Sequence, residues 1–190
     1  MEIKNFIKIY DEVLPWNVLS NLIRFANITK FEQAKIGGVE ENSKVNFNVR
    51  RTYSLYLSNN DNHMSKVHWF NLLQFYFDKN LKKYKVDTNT IDYGYKYIFD
   101  IEILKYENTG FYTWHVDHFA TIPRTMSCIL LLNNDYEGGN LCFRNPDGSG
   151  EWEVEVKPNR MIIWPSNFLY PHTVKPVTKG KRYSVVAWAL

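Results

Sequence analysis

His115 and Asp117 stand two residues apart in the segment Tyr106 to His118. On a strand, residues i and i+2 project from one face, so both side chains can enter one cavity. A neutral imidazole nitrogen and a carboxylate oxygen both suit a divalent first-row metal. His172, in Tyr170-Pro171-His172-Thr173-Val174, follows a turn and precedes the last strand, so it can fold back as a third ligand and leave three octahedral positions open. Any one of these residues alone reads as readily as a hydrogen-bonded pair or a packed histidine. The context downstream separates the two readings. Arg182 is followed at i+2 by Ser184, and a guanidinium fork matches a carboxylate in bidentate fashion while a hydroxyl adds one more bond. A metal with open sites and a distant carboxylate anchor are together what a dicarboxylic keto acid needs to be held at both ends.

The remaining candidates carry less. His118 falls on the opposite strand face from His115, which places it beside the site or at the surface. His63 and His68 flank the start of a helix and read as surface or packing residues. Cys128 and Cys142 lack zinc-site spacing, and Gly138-Gly139 is a turn in the wrong context for a phosphate loop. Arg124, Tyr112 and Trp188 sit beside the motif strands; Arg124 and Tyr112 could face a substrate, with ordinary packing as the competing role for each.

The elements that must position these residues change in character about halfway along the chain. Phe6 to Tyr10 reads as a short strand and Asp11 to Asn27 as a helix, with Leu14, Val18, Leu22 and Phe25 at helical spacing and Pro15 tolerated in the first turn. Val49 to Ser58 is a strand candidate. Ser65 to Tyr84 reads as a second helix with a core-facing stripe of Trp69, Leu72, Leu73 and Tyr76. From Tyr93 onward come short strands: Tyr97 to Tyr106, Thr125 to Asn133, Asn140 to Arg144, Glu151 to Val156, Met161 to Trp164 and Lys181 to Ala189. They are broken by Pro, Asn, Asp and Gly turns such as residues 145–148 and 157–160. Many short strands at regular spacing suggest a sandwich or jelly roll, and helices followed by strands make the class α+β.

The chain has 190 residues, 45% apolar and 16% aromatic, which suits one globular domain (1–190) with residues 1–92 as a mainly helical support region and 93–190 as a jelly-roll core. Net charge is +3 from 23 basic and 20 acidic residues, without long runs of like charge, which argues against a dedicated nucleic-acid binder. No apolar stretch is long enough to span a bilayer. The N-terminal residues show no secretion signal. Cys128 and Cys142 lie in apolar segments and are expected to be free thiols, so the expected setting is the reducing cytoplasm.

From Ile101 to Leu190 the motifs resemble the 2-oxoglutarate oxygenases of the prolyl hydroxylase type. The resemblance rests on Tyr106 through His115-Val116-Asp117, Ser127 to Asn133, Glu137-Gly138-Gly139-Asn140, Trp164, Pro171-His172, Arg182-Tyr183-Ser184 and Trp188, in that order and spacing. It implies a double-stranded β-helix with the N-terminal helices packed against it. It implies Fe(II) on His115, Asp117 and His172, 2-oxoglutarate as cosubstrate and O₂ as oxidant. Arg182 would pair with the C5 carboxylate, Ser184 would help it, and Tyr106 would bond the cosubstrate. The implied reaction is hydroxylation of an unactivated C–H bond in a proline-containing protein or peptide, with succinate and CO₂ released. Oxygen-sensing prolyl hydroxylases carry a Tyr where this chain has Leu131, so that cosubstrate contact is expected to be absent, with Ser184 in its place. Other readings are hydroxylation of a different side chain, a free amino acid or a small metabolite, a jelly-roll binding module without catalysis, and a cupin-like metal enzyme that would leave Arg182 idle.

Overall fold

A computed structural model describes residues 2–36, 44–90 and 95–190. The expected division between residues 92 and 93 therefore lies outside the described residues. After a 3-10 turn at Ile3–Phe6 the chain runs through β1 (Lys8–Tyr10), α1 (Trp16–Ile28), β2 (Glu32–Gln33), β3 (Arg50–Arg51), β4 (Tyr53–Leu57) and α2 (Met64–Asp87). The strands β5 (Ile98–Tyr106), β6 (Phe111–His115), β7 (Met126–Leu131), β8 (Glu137–Gly138), β9 (Leu141–Phe143) and β10 (Trp152–Glu153) follow. The last are β11 (Arg160–Pro165), β12 (His172–Val174), β13 (Val177–Lys179) and β14 (Arg182–Ala189).

A seven-stranded sheet is ordered β1-β11-β7-β14-β5-β4-β2, a five-stranded sheet β10-β9-β12-β6-β3, and β13 pairs with β8 in a small third sheet. The pairings within them are antiparallel. The class is α+β, as the sequence suggested. The first 92 residues do more than supply helices, because β1, β2 and β4 extend the large sheet and β3 joins the other.

Side-chain alternation divides the interior into two cores. All eight residues of β14 are buried. Tyr183, Val185, Ala187 and Ala189 pack toward the helices, with Leu19, Leu22 and Ala26 of α1 and Trp69, Leu73, Phe77 and Leu81 of α2. Those helix positions recur at three and four residues, the spacing of one buried stripe. Val186 and Trp188 face the other way, into a core shared with Leu141, Phe143 and Val174 of the five-stranded sheet. Strand parity thus points Arg182 and Ser184 into the space between the sheets, and on β5 it points Asp100, Glu102, Leu104 and Tyr106 there too.

Several element limits differ from the sequence reading, for identifiable reasons. α1 begins at Trp16 rather than Asp11, because Glu12 has φ 55 and Pro15, extended at the N-cap, begins the helix. Val49 to Ser58 splits into β3 and β4, which belong to different sheets. Only Trp152–Glu153 of the alternating 151–156 segment is paired. In the turn at residues 157–160, Asn159 is fully buried at φ 64, and its side-chain amide holds the Leu14 N–H at 2.8 Å and the Leu14 carbonyl at 2.7 Å.

Candidate metal and cosubstrate site

His115 is the last residue of β6 and His172 the first of β12, and the two are directly opposed partners in the ladder. Asp117 does not share their strand: β6 ends at His115, and the chain bends at Asp117. The expectation that both residues project from one continuous strand is corrected here, although the two side chains still meet. His115 Nε2 lies 3.6 Å from Asp117 Oδ1, and His172 Nε2 lies 3.4 Å from Asp117 Oδ2. All three ligand atoms fall within 4.8 Å of one another.

Backbone carbonyls fix both imidazoles. His115 Nδ1–H donates to Thr113 O at 2.8 Å and His172 Nδ1–H to Tyr170 O at 3.1 Å, which leaves each Nε2 lone pair turned toward Asp117. Such a contact on the distal nitrogen sets the tautomer and orientation that a metal ligand needs. Asp117, 5% exposed, accepts a 2.7 Å hydrogen bond from Ser127 Oγ, whose oxygen is in turn 2.7 Å from Ser166 Oγ. Burial pushes the His115 pKa down to about 3, aided by His172 and opposed by Asp117, so that imidazole is neutral at pH 7. Burial works to raise the Asp117 carboxyl, yet the neighbouring imidazoles, Arg124 and the Ser127 hydroxyl hold it below the usual carboxylate range. Two imidazole nitrogens beside an ionised carboxylate are a fitting donor set for a divalent first-row metal. His172 sits among the Trp164 ring at 4.9 Å and the Phe143 ring at 5.8 Å, in dry surroundings.

The cluster forms part of the wall of a cavity of about 500 Å³ that is also lined by Tyr106, Tyr112, Arg124 and Trp188. The Tyr112 ring stacks on His115 at 3.6 Å, and the Arg50 guanidinium lies 4.8 Å from the Tyr112 ring centroid. Arg124 lies 3.8 Å from the Trp188 ring centroid and 3.4 Å from Asp100 Oδ2. Arg182 and Ser184 are not on the cavity wall. They lie behind Tyr106, whose ring is 5.0 Å from the Arg182 guanidinium carbon and whose backbone pairs with Arg182 across β5 and β14. Arg182 is 1% exposed and donates through Nη1 to Ser184 Oγ at 2.8 Å. Its Nε and Nη2 are buried with no hydrogen-bond partner among the described residues. His118 is exposed, with its ring nitrogen on the Arg124 carbonyl, and stands apart from the cluster.

The sequence reading missed Ser127, Ser166, Arg50, Asp100 and Glu102. Signals were present for some of them: Ser127 is the polar residue in the apolar strand Met126–Leu131, and Asp100 and Glu102 alternate with isoleucines on β5. Glu102 also lines the cavity, and burial raises its carboxyl pKa, with Arg50 opposing.

Comparison with known proteins agrees with this geometry. Residues 101–190 match the family model of the 2OG-Fe(II) oxygenase superfamily. A PKHD-type hydroxylase of Alteromonas mediterranea is 35% identical over 94 residues, a match covering 44% of this chain and 40% of that protein. The matched region therefore spans less than half the length of that relative. Among solved structures, a Pseudomonas putida prolyl-4-hydroxylase superposes with a TM-score of 0.70 at 19% identity, over 97% of this chain and 92% of that one. A Trichoplax adhaerens prolyl hydroxylase, in complex with a hypoxia inducible factor oxygen degradation domain peptide, gives 0.74 at 17% identity, over 98% and 84%. The structural likeness shows that the fold is shared along nearly the whole chain. The segment that matches the family model, residues 101–190, carries His115, Asp117, His172 and Arg182.

Proposed function

We propose that the chain is an Fe(II)- and 2-oxoglutarate-dependent dioxygenase that hydroxylates an unactivated C–H bond, with a prolyl residue of a protein or peptide as its substrate. Succinate and CO₂ are the co-products. In this reading the chain is one domain whose two large sheets are the walls of a double-stranded β-helix. The observation that carries it is the pairing of a His-Asp-His cluster at the cavity with Arg182, a buried cation holding two unpaired N–H groups behind the same cavity. An N–H buried without a partner costs free energy, and a carboxylate reaching past Tyr106 would satisfy both.

His115, Asp117 and His172 would hold the ion, and Arg182 the distal carboxylate, oriented by Ser184. Tyr106, between the two, would hydrogen-bond the cosubstrate. The bound ion and keto acid supply the oxidising chemistry. The protein's part is to position the substrate carbon and keep water out, and Phe143, Trp164 and Trp188 line or back the site for that purpose. Arg124, Tyr112 and Trp188 are the side chains on the cavity wall placed to meet the substrate. The buried free thiols Cys128 and Cys142 suit a reducing compartment such as the cytoplasm, and no described helix is long and apolar enough to cross a membrane.

A second substrate reading has a specific observation in its favour. Asp100 and Glu102 project from β5 into the cavity, where a bare proline ring would offer them nothing to bind. A side chain or small metabolite bearing an amine would. The test is to incubate the Fe(II) protein and 2-oxoglutarate with proline-containing peptides, lysine-containing peptides and free amino acids. Succinate release and a single added oxygen on the proline peptides alone support the first reading. The same signals on amines alone replace it with the second, and succinate from none of them counts against catalysis.

A further inference from the structure

The distal end of the cosubstrate site holds more hydrogen-bond donors than Arg182 alone provides. Tyr136 lies in the connection between β7 and β8, and its hydroxyl is buried without a hydrogen-bond partner among the described residues. Burial raises its phenol pKa, and the nearby Arg182 cation opposes that rise. The two side chains converge over Gly139: a Cβ built there would stand 3.0 Å from Arg182 Cδ and 3.3 Å from Tyr136 Cε2. Gly139 has φ 66, and Gly180, at φ 80, would place a Cβ 3.2 Å from Tyr136 Cβ. A side chain at Gly139 would press on both Tyr136 and Arg182, and one at Gly180 on the backbone that carries Tyr136. The β8–β13 pair fixes the connection, with Val177 opposite Gly138 and Lys179 opposite Glu137.

Leu131, opposite Ser184 in the ladder and 2% exposed, has no polar atom to offer a ligand. Ser184 Oγ already accepts from Arg182 Nη1. Three buried groups able to donate thus remain: Arg182 Nε–H, Arg182 Nη2–H and the Tyr136 O–H. Leaving them without an acceptor is unfavourable, and a carboxylate, which accepts at both oxygens, would serve all of them. Building on the keto-acid reading above, we propose that Tyr136 donates its hydroxyl to the distal carboxylate of the cosubstrate, supplying from the β7–β8 connection the contact that Leu131 cannot make. Tyr136 is in this sense a cosubstrate-binding residue, and Ser184 is a positioning residue that holds the arginine.

The experiment compares wild type and Tyr136→Phe, each loaded with Fe(II) under argon. 2-Oxoglutarate and pyruvate, which lacks the distal carboxylate, are each titrated in while the visible charge-transfer absorption of the chelate is followed. The expected result is about tenfold weaker 2-oxoglutarate binding in the variant, the loss that goes with one hydrogen bond to a charged acceptor, with pyruvate binding unchanged. Equal 2-oxoglutarate affinity in the two proteins overturns the proposal. So does an equal weakening of both ligands, which would mark Tyr136 as structural only. A wild type that forms no chelate with 2-oxoglutarate instead overturns the keto-acid reading itself, so the two failures are distinguishable.

Discussion

Ser127 Oγ donates to Asp117 Oδ2 at 2.7 Å, tying the middle of the large sheet to the carboxylate that both histidines face. Asp117 lies beyond the end of β6, so no strand register places it. Partners of this kind typically govern metal affinity by about 10–100-fold when removed. Ser127→Ala is accordingly expected to weaken Fe(II) binding within that range in an anaerobic titration. An unchanged affinity would show that the bend alone places Asp117.

Replacing a ligand should cost more. His172→Ala and Asp117→Ala are expected to lower Fe(II) affinity beyond about 100-fold, since even outer partners reach that figure. Circular dichroism should show both variants folded, because neither residue anchors the helix-facing core. Retained stoichiometric iron in both would remove these residues from the metal site.

Gly139→Ala is expected to destabilise the fold by about 1–3 kcal/mol. The backbone there is left-handed, and the new Cβ would stand 2.9 Å from Val177 Cγ2 and 3.0 Å from Arg182 Cδ. Because Arg182 must give way, 2-oxoglutarate binding should weaken along with the denaturation midpoint. Loss of stability with unaltered 2-oxoglutarate affinity would separate the glycine from the arginine.

The N-terminal segment has its own pH dependence. Asp11 is hydrogen-bonded to Arg160 Nε at 2.7 Å, and that contact, against burial and with help from Lys157, lowers its carboxyl from 3.8 to about 2. A carboxyl lowered on folding stabilises the protein above its unfolded pKa and loses that contribution as pH falls through the folded value. Asp11→Asn should therefore lower stability at neutral pH, with the difference shrinking between about pH 4 and pH 2. Urea titrations of both proteins across that window provide the check; a difference that persists at the acid end would assign the effect to something other than this charge.

The sequence disclosed the site better than it disclosed the frame around it. His115, Asp117 and His172 could be read because ligand chemistry restricts residue type, and Arg182 because a guanidinium fork with a serine two residues on along a strand suits a carboxylate. That Arg182 and Ser184 share one strand face was also legible from their i, i+2 spacing, whereas the inward turn of Val186 and Trp188 was not, because all eight residues of β14 are buried. What the sequence hid were contacts made by tertiary approach. Ser127 meets Asp117 across a chain bend, Tyr136 and Arg182 converge over the left-handed Gly139, and β3 and β4 part into different sheets within one apparently continuous strand. Local periodicity carries no information about which sheet a strand joins, and short edge pairs such as β2 and β10 leave almost no pattern at all.

In the proposed reading, one site holds Fe(II) through His115, Asp117 and His172 and anchors a keto acid at Arg182. An anaerobic titration of the protein with Fe(II) and 2-oxoglutarate, followed by visible absorption, tests it most directly. The expected result is a charge-transfer band saturating at one equivalent of iron, abolished in Asp117→Ala and shifted to much higher 2-oxoglutarate concentration in Arg182→Ala. Iron binding with no such band at any 2-oxoglutarate concentration would contradict it.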